Sequence, residues 1–158
     1  MKKIVCLFPG QGSQYIGMGN HFQNDQSAEE IFSEAENALG FSLKKIMLEG
    51  PEEKLKQTEF TQPAILTHSW IIFKKLERTL SMRNVNIDCV LGHSVGEYSA
   101  LLAANSFNFQ EAVKAVHFRG KFMQQAVPLG EGGMIALLKV PLDKIEEACK
   151  KVSSAEEI

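Results

Sequence analysis

Apolar residues in this chain fall into two kinds of run, and their alternation predicts the architecture. Ile4 to Phe8 is continuous and apolar, the pattern of a parallel strand covered on both faces. Ile87 with Cys89 to Leu91 is a second such run. Elsewhere apolar positions recur at helical intervals. Ser27 and Glu30 have capping-box spacing, and Ile31, Phe32, Ala35, Ala38 and Leu39 follow until Gly40 stops the helix. Gly50-Pro51-Glu52-Glu53 opens a short helix with proline in its first turn. Ala64 to Leu80 holds Ile65, Leu66, Trp70, Ile71, Ile72, Phe73 and Leu76, apolar on more than one side, which predicts a central helix packed on the sheet. His68 and Trp70 on that helix read as packing residues rather than ligands.

Further along, Phe109 to Val127 reads as a helix, Met134 to Val140 as a strand, and Pro141 to Val152 as an amphipathic helix. The fold class is therefore α/β. One strand and one helix cannot make a covered sheet. The division expected is a partial α/β core over residues 1–128 and the beginning of a second, incomplete subdomain over 129–158.

Composition narrows the function classes. The 158 residues are 44% hydrophobic and 23% charged with a net charge of -2, so no basic excess points to nucleic acid. Ile4 to Phe8 ends at Pro9-Gly10, too short for the apolar region of a secretory signal, and no run reaches the length that spans a bilayer. Cys6, Cys89 and Cys149 are odd in number and far apart, suggesting neither a metal pair nor a disulfide framework. A reduced, cytoplasmic setting is expected, with no membrane and no metal.

The richest chemistry lies at Gly92-His93-Ser94-Val95-Gly96. A strand, a sharp turn with serine between two glycines, and an immediate helix form the order of a nucleophile elbow, which lifts Ser94 Oγ above the sheet. The start of the helix points free N–H groups and a positive dipole end at the same place, suiting an oxyanion. The plainer reading is a loop with an N-cap serine. Pro9-Gly10-Gln11-Gly12-Ser13-Gln14, after the first strand, fits neither a dinucleotide fingerprint nor a phosphate loop. By itself it reads as a tight turn with solvated glutamines.

Ala112, Val116, Arg119 and Met123 share one stripe of a helix, so a guanidinium interrupts an apolar face. Burying it without an anion is costly. Periodicity leaves two readings open: Arg119 pairs with an internal carboxylate, or it awaits a substrate anion.

Several motifs occur together in one order: Phe8-Pro9-Gly10-Gln11-Gly12-Ser13-Gln14, Thr61-Gln62-Pro63-Ala64, Gly92-His93-Ser94-Val95-Gly96-Glu97-Tyr98, Arg119-Gly120-x-x-Met123-Gln124-x-Ala126 and Gly133-Met134-x-Ala136. Together they resemble the malonyl-CoA:acyl carrier protein transacylases, over Lys3 to Val152. The resemblance implies an α/β-hydrolase-like core with a small ferredoxin-like subdomain inserted after the Arg119 helix. It implies Ser94 as acyl-accepting nucleophile, Gln11 and the Val95 N–H as oxyanion hole, and Arg119 as the bidentate holder of the malonyl carboxylate, with Met123 along the pocket. Malonyl would pass from coenzyme A to Ser94 and on to the phosphopantetheine thiol of acyl carrier protein, in fatty acid biosynthesis. The thioester is a substrate, and no cofactor is needed.

One element of the pattern lacks a counterpart. The base in such enzymes is a histidine downstream of the inserted subdomain, and after Ser94 this chain has only His117, two positions before Arg119. Two helical positions are about 200° apart, so His117 faces away if Arg119 faces the substrate. His93 reads as structural, and His21 as a remote candidate. The sequence thus reads as the N-terminal part of a transacylase. It is expected to be an impaired malonyl transferase completed by another, C-terminal chain, or a non-catalytic remnant binding only carrier protein or coenzyme A. A serine esterase or thioesterase would share the elbow but give no reason for Arg119 or Gln11.

Overall fold

The computed structural model describes residues 3–126 and 137–153. The chain divides into two compact units, Met1–Pro128 and Leu129–Ile158. In the first, β1 (Val5–Phe8) is followed by α1 (Gln26–Leu39), α2 (Leu43–Glu49), α3 (Glu52–Leu55) and α4 (Thr58–Ser81). Then come β2 (Cys89–Gly92), α5 (Val95–Ala103) and α6 (Phe109–Ala126).

The strands pair in parallel, Val5 opposite Cys89 and Phe8 opposite Gly92. Asp88 fixes the register where they begin: its N–H donates to the Ile4 carbonyl at 2.9 Å, and its carboxylate accepts from the Ile4 N–H at 2.7 Å. Cys6 and Phe8 turn toward Phe73 of α4 and Ala100 of α5. Alternation then sends Val5 and Leu7 the other way. Leu7 is 75% exposed and Val5 50%. The expectation of a strand covered on both faces therefore fails among the described residues.

Most of the core is helical. Phe32, Leu43, Met47, Leu55, Ile65, Leu66, Val113 and Val116, from α1, α2, α3, α4 and α6, are buried together. The central helix predicted from Ala64 extends forward to Thr58, with residues 61 to 67 all buried. Trp70 stacks on Phe73 and Phe109, and His68 lies against Phe22 and His21, so both pack as expected. Burial, and then the neighbouring His21, lower the His68 pKa.

Two boundary expectations are corrected. The cap of α1 is Asp25, which accepts from the Ala28 N–H at 3.1 Å. Ser27 instead lies inside the first turn and donates its hydroxyl to Asp25 at 2.6 Å. A carboxylate two residues earlier outcompetes the hydroxyl because it accepts from both Ser27 and Ala28 and also bonds Lys75. Pro51 stands just before α3 rather than within its first turn.

Of the second unit, α7 (Leu142–Val152) forms the expected amphipathic helix. The strand expected over 134–140 falls partly outside the described residues, and Leu137 to Val140 is irregular, with Lys139 at a φ of 59°. Among the described residues no helix is long and apolar enough to cross a membrane.

Candidate active site

Between β2 and α5 the chain turns through Ser94 at φ 54° and ψ −115°, a conformation that costs a residue with a side chain of order 1–3 kcal/mol. Both flanking glycines are forced by close approach. A Cβ on Gly92 would lie 1.9 Å from the Gly96 carbonyl oxygen, and one on Gly96 would lie 2.3 Å from that of Phe8. The corner is thus pressed onto the end of β1, and the His93 N–H donates to Phe8 O at 3.2 Å. Gly96 and Glu97 donate to the His93 and Ser94 carbonyls. Val95 is buried, and its N–H, first in α5, has no acceptor among the described residues. Ser94 itself is exposed.

Arg119 reaches this corner because α6 lies close on α4. A Cβ on Gly120 would sit 2.4 Å from the Thr58 carbonyl oxygen, so only glycine permits that approach. From there Nη1 of Arg119 donates to Gln62 Oε1 at 2.7 Å, and Nη2 donates to Ser94 Oγ at 3.1 Å. The guanidinium carbon also stands 5.9 Å from the centre of the Tyr98 ring, which stacks on Phe107. Among the described residues Arg119 forms no ion pair with a carboxylate. Of the two readings left open by periodicity, the internal salt bridge is the one without a partner here.

The other expected residues are placed with different clarity. Met123, one turn beyond Arg119, accepts at Sδ from Gln62 Nε2 across 3.4 Å, so it adjoins the same cluster. Gln11, remote from the corner in sequence, follows a residue that touches it: a Cβ on neighbouring Gly10 would be 2.7 Å from His93 Nδ1. Its amide, however, donates to Thr58 Oγ1 at 3.4 Å, and no bond joins it to Ser94.

None of the four histidines bonds Ser94. His117 has a structural explanation. Pro63 lies inside α4 and has no N–H for the Glu59 carbonyl four residues earlier. His117 Nδ1 fills that gap at 3.0 Å; a carbonyl can only accept, so Nδ1 carries the proton. Facing Phe41 and Glu59, the ring points away from the serine as the helical spacing predicts.

Gln62 and Tyr98 are the residues that sequence reasoning left without a role. A signal was present for the first: an amide embedded in Thr61-Gln62-Pro63-Ala64-Ile65-Leu66, a stretch otherwise suited to the core. Nothing in spacing marked Tyr98. Among the described residues no cluster of three His, Cys, Asp or Glu side chains could hold a metal. What the site does offer is an exposed hydroxyl, an adjoining cation and a helix-start N–H, the last two without an acidic partner and an acceptor, respectively, among the described residues.

Comparison with known proteins places the whole chain in a family. Residues 5–155 match the family model described as the acyl transferase domain. The malonyl CoA-acyl carrier protein transacylase of Staphylococcus aureus (strain COL) is 45% identical over 159 aligned positions, covering all of this chain and 50% of that protein. The solved structure of the malonyl CoA-acyl carrier protein transacylase of Coxiella burnetii superposes with a TM-score of 0.85 at 41% identity, over 95% of this chain and 47% of that one. A malonyl-transacylase in complex with a type II polyketide acyl-carrier protein superposes at 0.80 with 38% identity, over 96% of this chain and 48% of that one. The chain thus spans about half the length of the relatives it matches. With a match running through nearly every residue, its two parallel strands and its serine corner included, the chain belongs to the acyl transferase domain family.

Proposed function

We propose that this chain carries the acyl-accepting site of a malonyl transferase acting between coenzyme A and acyl carrier protein in fatty acid biosynthesis. The observation that carries the proposal is the 3.1 Å contact between Arg119 Nη2 and Ser94 Oγ, with Arg119 lacking an acidic partner among the described residues. The two carbonyl carbons of a malonyl group are two C–C bonds, ~2.5 Å, apart. A ligand so short needs its nucleophile and its carboxylate anchor side by side, and that is how the two groups lie. The names of the relatives, which are malonyl CoA-acyl carrier protein transacylases, suggest the reaction class, transfer of an acyl group between two thiols.

In this reading Ser94 Oγ attacks the thioester carbonyl. The oxyanion is held by the Val95 N–H, with Gln11 turning from Thr58 to join it. The C–S bond breaks, the serine proton passes to the departing thiolate, and coenzyme A leaves. The carrier protein's phosphopantetheine thiol then attacks the serine ester, and its proton returns to Oγ. Arg119 grips the free carboxylate throughout, and Met123 lines the acyl space. No cofactor is required, and the setting is cytoplasmic. The fold is taken as an α/β-hydrolase-like core, with residues 129–158 beginning a ferredoxin-like subdomain.

Among the described residues no histidine bonds Ser94 to take its proton, so turnover by this chain alone is expected to be slow. The same observation favours a second reading: a remnant that binds carrier protein or coenzyme A without catalysis. Incubation with malonyl-CoA followed by intact-mass analysis separates them. A single added malonyl group that disappears in Ser94→Ala supports transfer, even at a low rate; a complementary C-terminal chain that accelerates it would supply the base. No acylation, alone or with such a chain, would sink the transfer reading.

A further inference from the structure

The most informative unassigned group is Gln62, whose side chain is fully buried in α4. Its amide faces two site residues at once: Oε1 accepts from Arg119 Nη1 at 2.7 Å, and Nε2 faces Met123 Sδ at 3.4 Å. Arginine can only donate, so the oxygen must face it and the NH2 is left for the sulfur, a weak acceptor. This fixes the amide's orientation and, through it, that of the guanidinium.

The chemical type of the partner matters more than its position. A buried carboxylate here would anchor Arg119 equally well but would cancel its charge. An amide oxygen anchors it as a neutral acceptor and leaves the full positive charge beside Ser94. Tyr98 supports the same arrangement from the ring side without adding charge. The bonds to Gln62 and Ser94 use two of the five guanidinium N–H groups, and among the described residues the other three remain for a carboxylate, which requires both geometry and charge.

We propose that Gln62 is a positioning residue that sets the preference for an anionic acyl group, by holding Arg119 in place while leaving it un-neutralised. The proposal rests on Arg119 being the carboxylate holder, as in the preceding section. It makes Gln62→Glu, a change of almost no volume, the decisive variant, because the introduced carboxylate competes with the ligand's.

The test measures binding of malonate and of acetate to the full 158-residue chain by NMR titration, alongside thermal melting. In the unsubstituted chain malonate should bind more tightly than acetate. Gln62→Glu should lower that ratio about tenfold or more, with melting temperature unchanged or raised, since the arginine gains an ionic partner. Gln62→Met, which keeps length but removes the acceptor, should lower the ratio too, and a ratio is insensitive to the fraction folded. Loss of preference in Arg119→Ala but an unaltered ratio in either Gln62 variant overturns the positioning role and leaves the functional reading intact. An unaltered ratio in Arg119→Ala overturns both, as does an unsubstituted chain that does not prefer malonate.

Discussion

Arg119 Nη2 donates to Ser94 Oγ across 3.1 Å, joining the last helix of the first unit to the turn between β2 and α5. The serine hydroxyl therefore accepts from a cation, which favours developing negative charge on its oxygen. A carboxylate drawn to the same guanidinium would be placed within bonding reach of the nucleophile's surroundings.

Replacing Arg119 by Ala should remove the preference for dicarboxylate acyl groups. Hydrogen bonds to charged groups contribute about 1.5–3 kcal/mol, which corresponds to a preference of roughly 10- to 150-fold. Arg119→Lys should recover only part of it, because a point charge cannot offer two parallel bonds. Competition between malonyl-CoA and acetyl-CoA for Ser94 acylation measures this, in whatever assembly supports acylation; an unchanged ratio in Arg119→Ala contradicts it.

At Ser94 the backbone and the hydroxyl can be separated. Ser94→Ala removes the oxygen and keeps a Cβ at φ 54°, whereas Ser94→Gly removes both. Relief of strain should exceed glycine's greater unfolded-state entropy. Ser94→Gly is expected to be about 1 kcal/mol more stable than Ser94→Ala in urea unfolding. Equal or lower stability would show that the corner holds no strain.

His117 and Pro63 should behave as a coupled pair. His117→Phe keeps the ring's bulk but strands the Glu59 carbonyl, at a cost of about 1–3 kcal/mol. Adding Pro63→Ala restores an N–H four residues on and should recover part of that loss. A double-mutant cycle that shows no coupling would return His117 to the candidates for a chemical role.

Asp25 makes the fold pH-dependent at its acidic end. The hydrogen bond from Lys75, then those from Ser27 and the Ala28 N–H, hold its carboxyl well below the usual carboxylate range. A carboxylate depressed in the folded state stabilises above its unfolded pKa, ~3.9, and loses that effect as pH falls toward the folded value. Asp25→Ala should lower the melting temperature by a few degrees at pH 7. Its deficit against the unsubstituted chain should shrink below about pH 4. A deficit independent of pH would mean that the cap acts without its charge.

Much of this is legible in the sequence. Local rules acted on adjacent residues, so the strand–turn–helix at Ser94 followed from glycines that tolerate close backbone contact, and α1 ended where Gly40 adopts φ 78°. The helical period likewise put Arg119 on an apolar stripe and His117 off it. Where competing local caps lay close together, pattern erred: Asp25 displaced Ser27 because Lys75, fifty residues away, bonds the carboxylate as well. Burial of β1 was misjudged for a related reason. An apolar run states that a strand can be covered on both faces, while only its neighbours in space determine whether Val5 and Leu7 are.

The sequence by itself determined which residue types were present for the chemistry, since the serine corner and the interrupted stripe are both local periodic features. Tertiary structure decided what Arg119 meets. Periodicity specifies the direction in which a side chain leaves its own helix, but its partner is set by how closely two helices approach, here through Gly120 against Thr58. That approach brought Arg119 to a neutral buried amide and an exposed hydroxyl, residues 57 and 25 positions away. Separations of that length are invisible to any rule with a period of two or 3.6 residues.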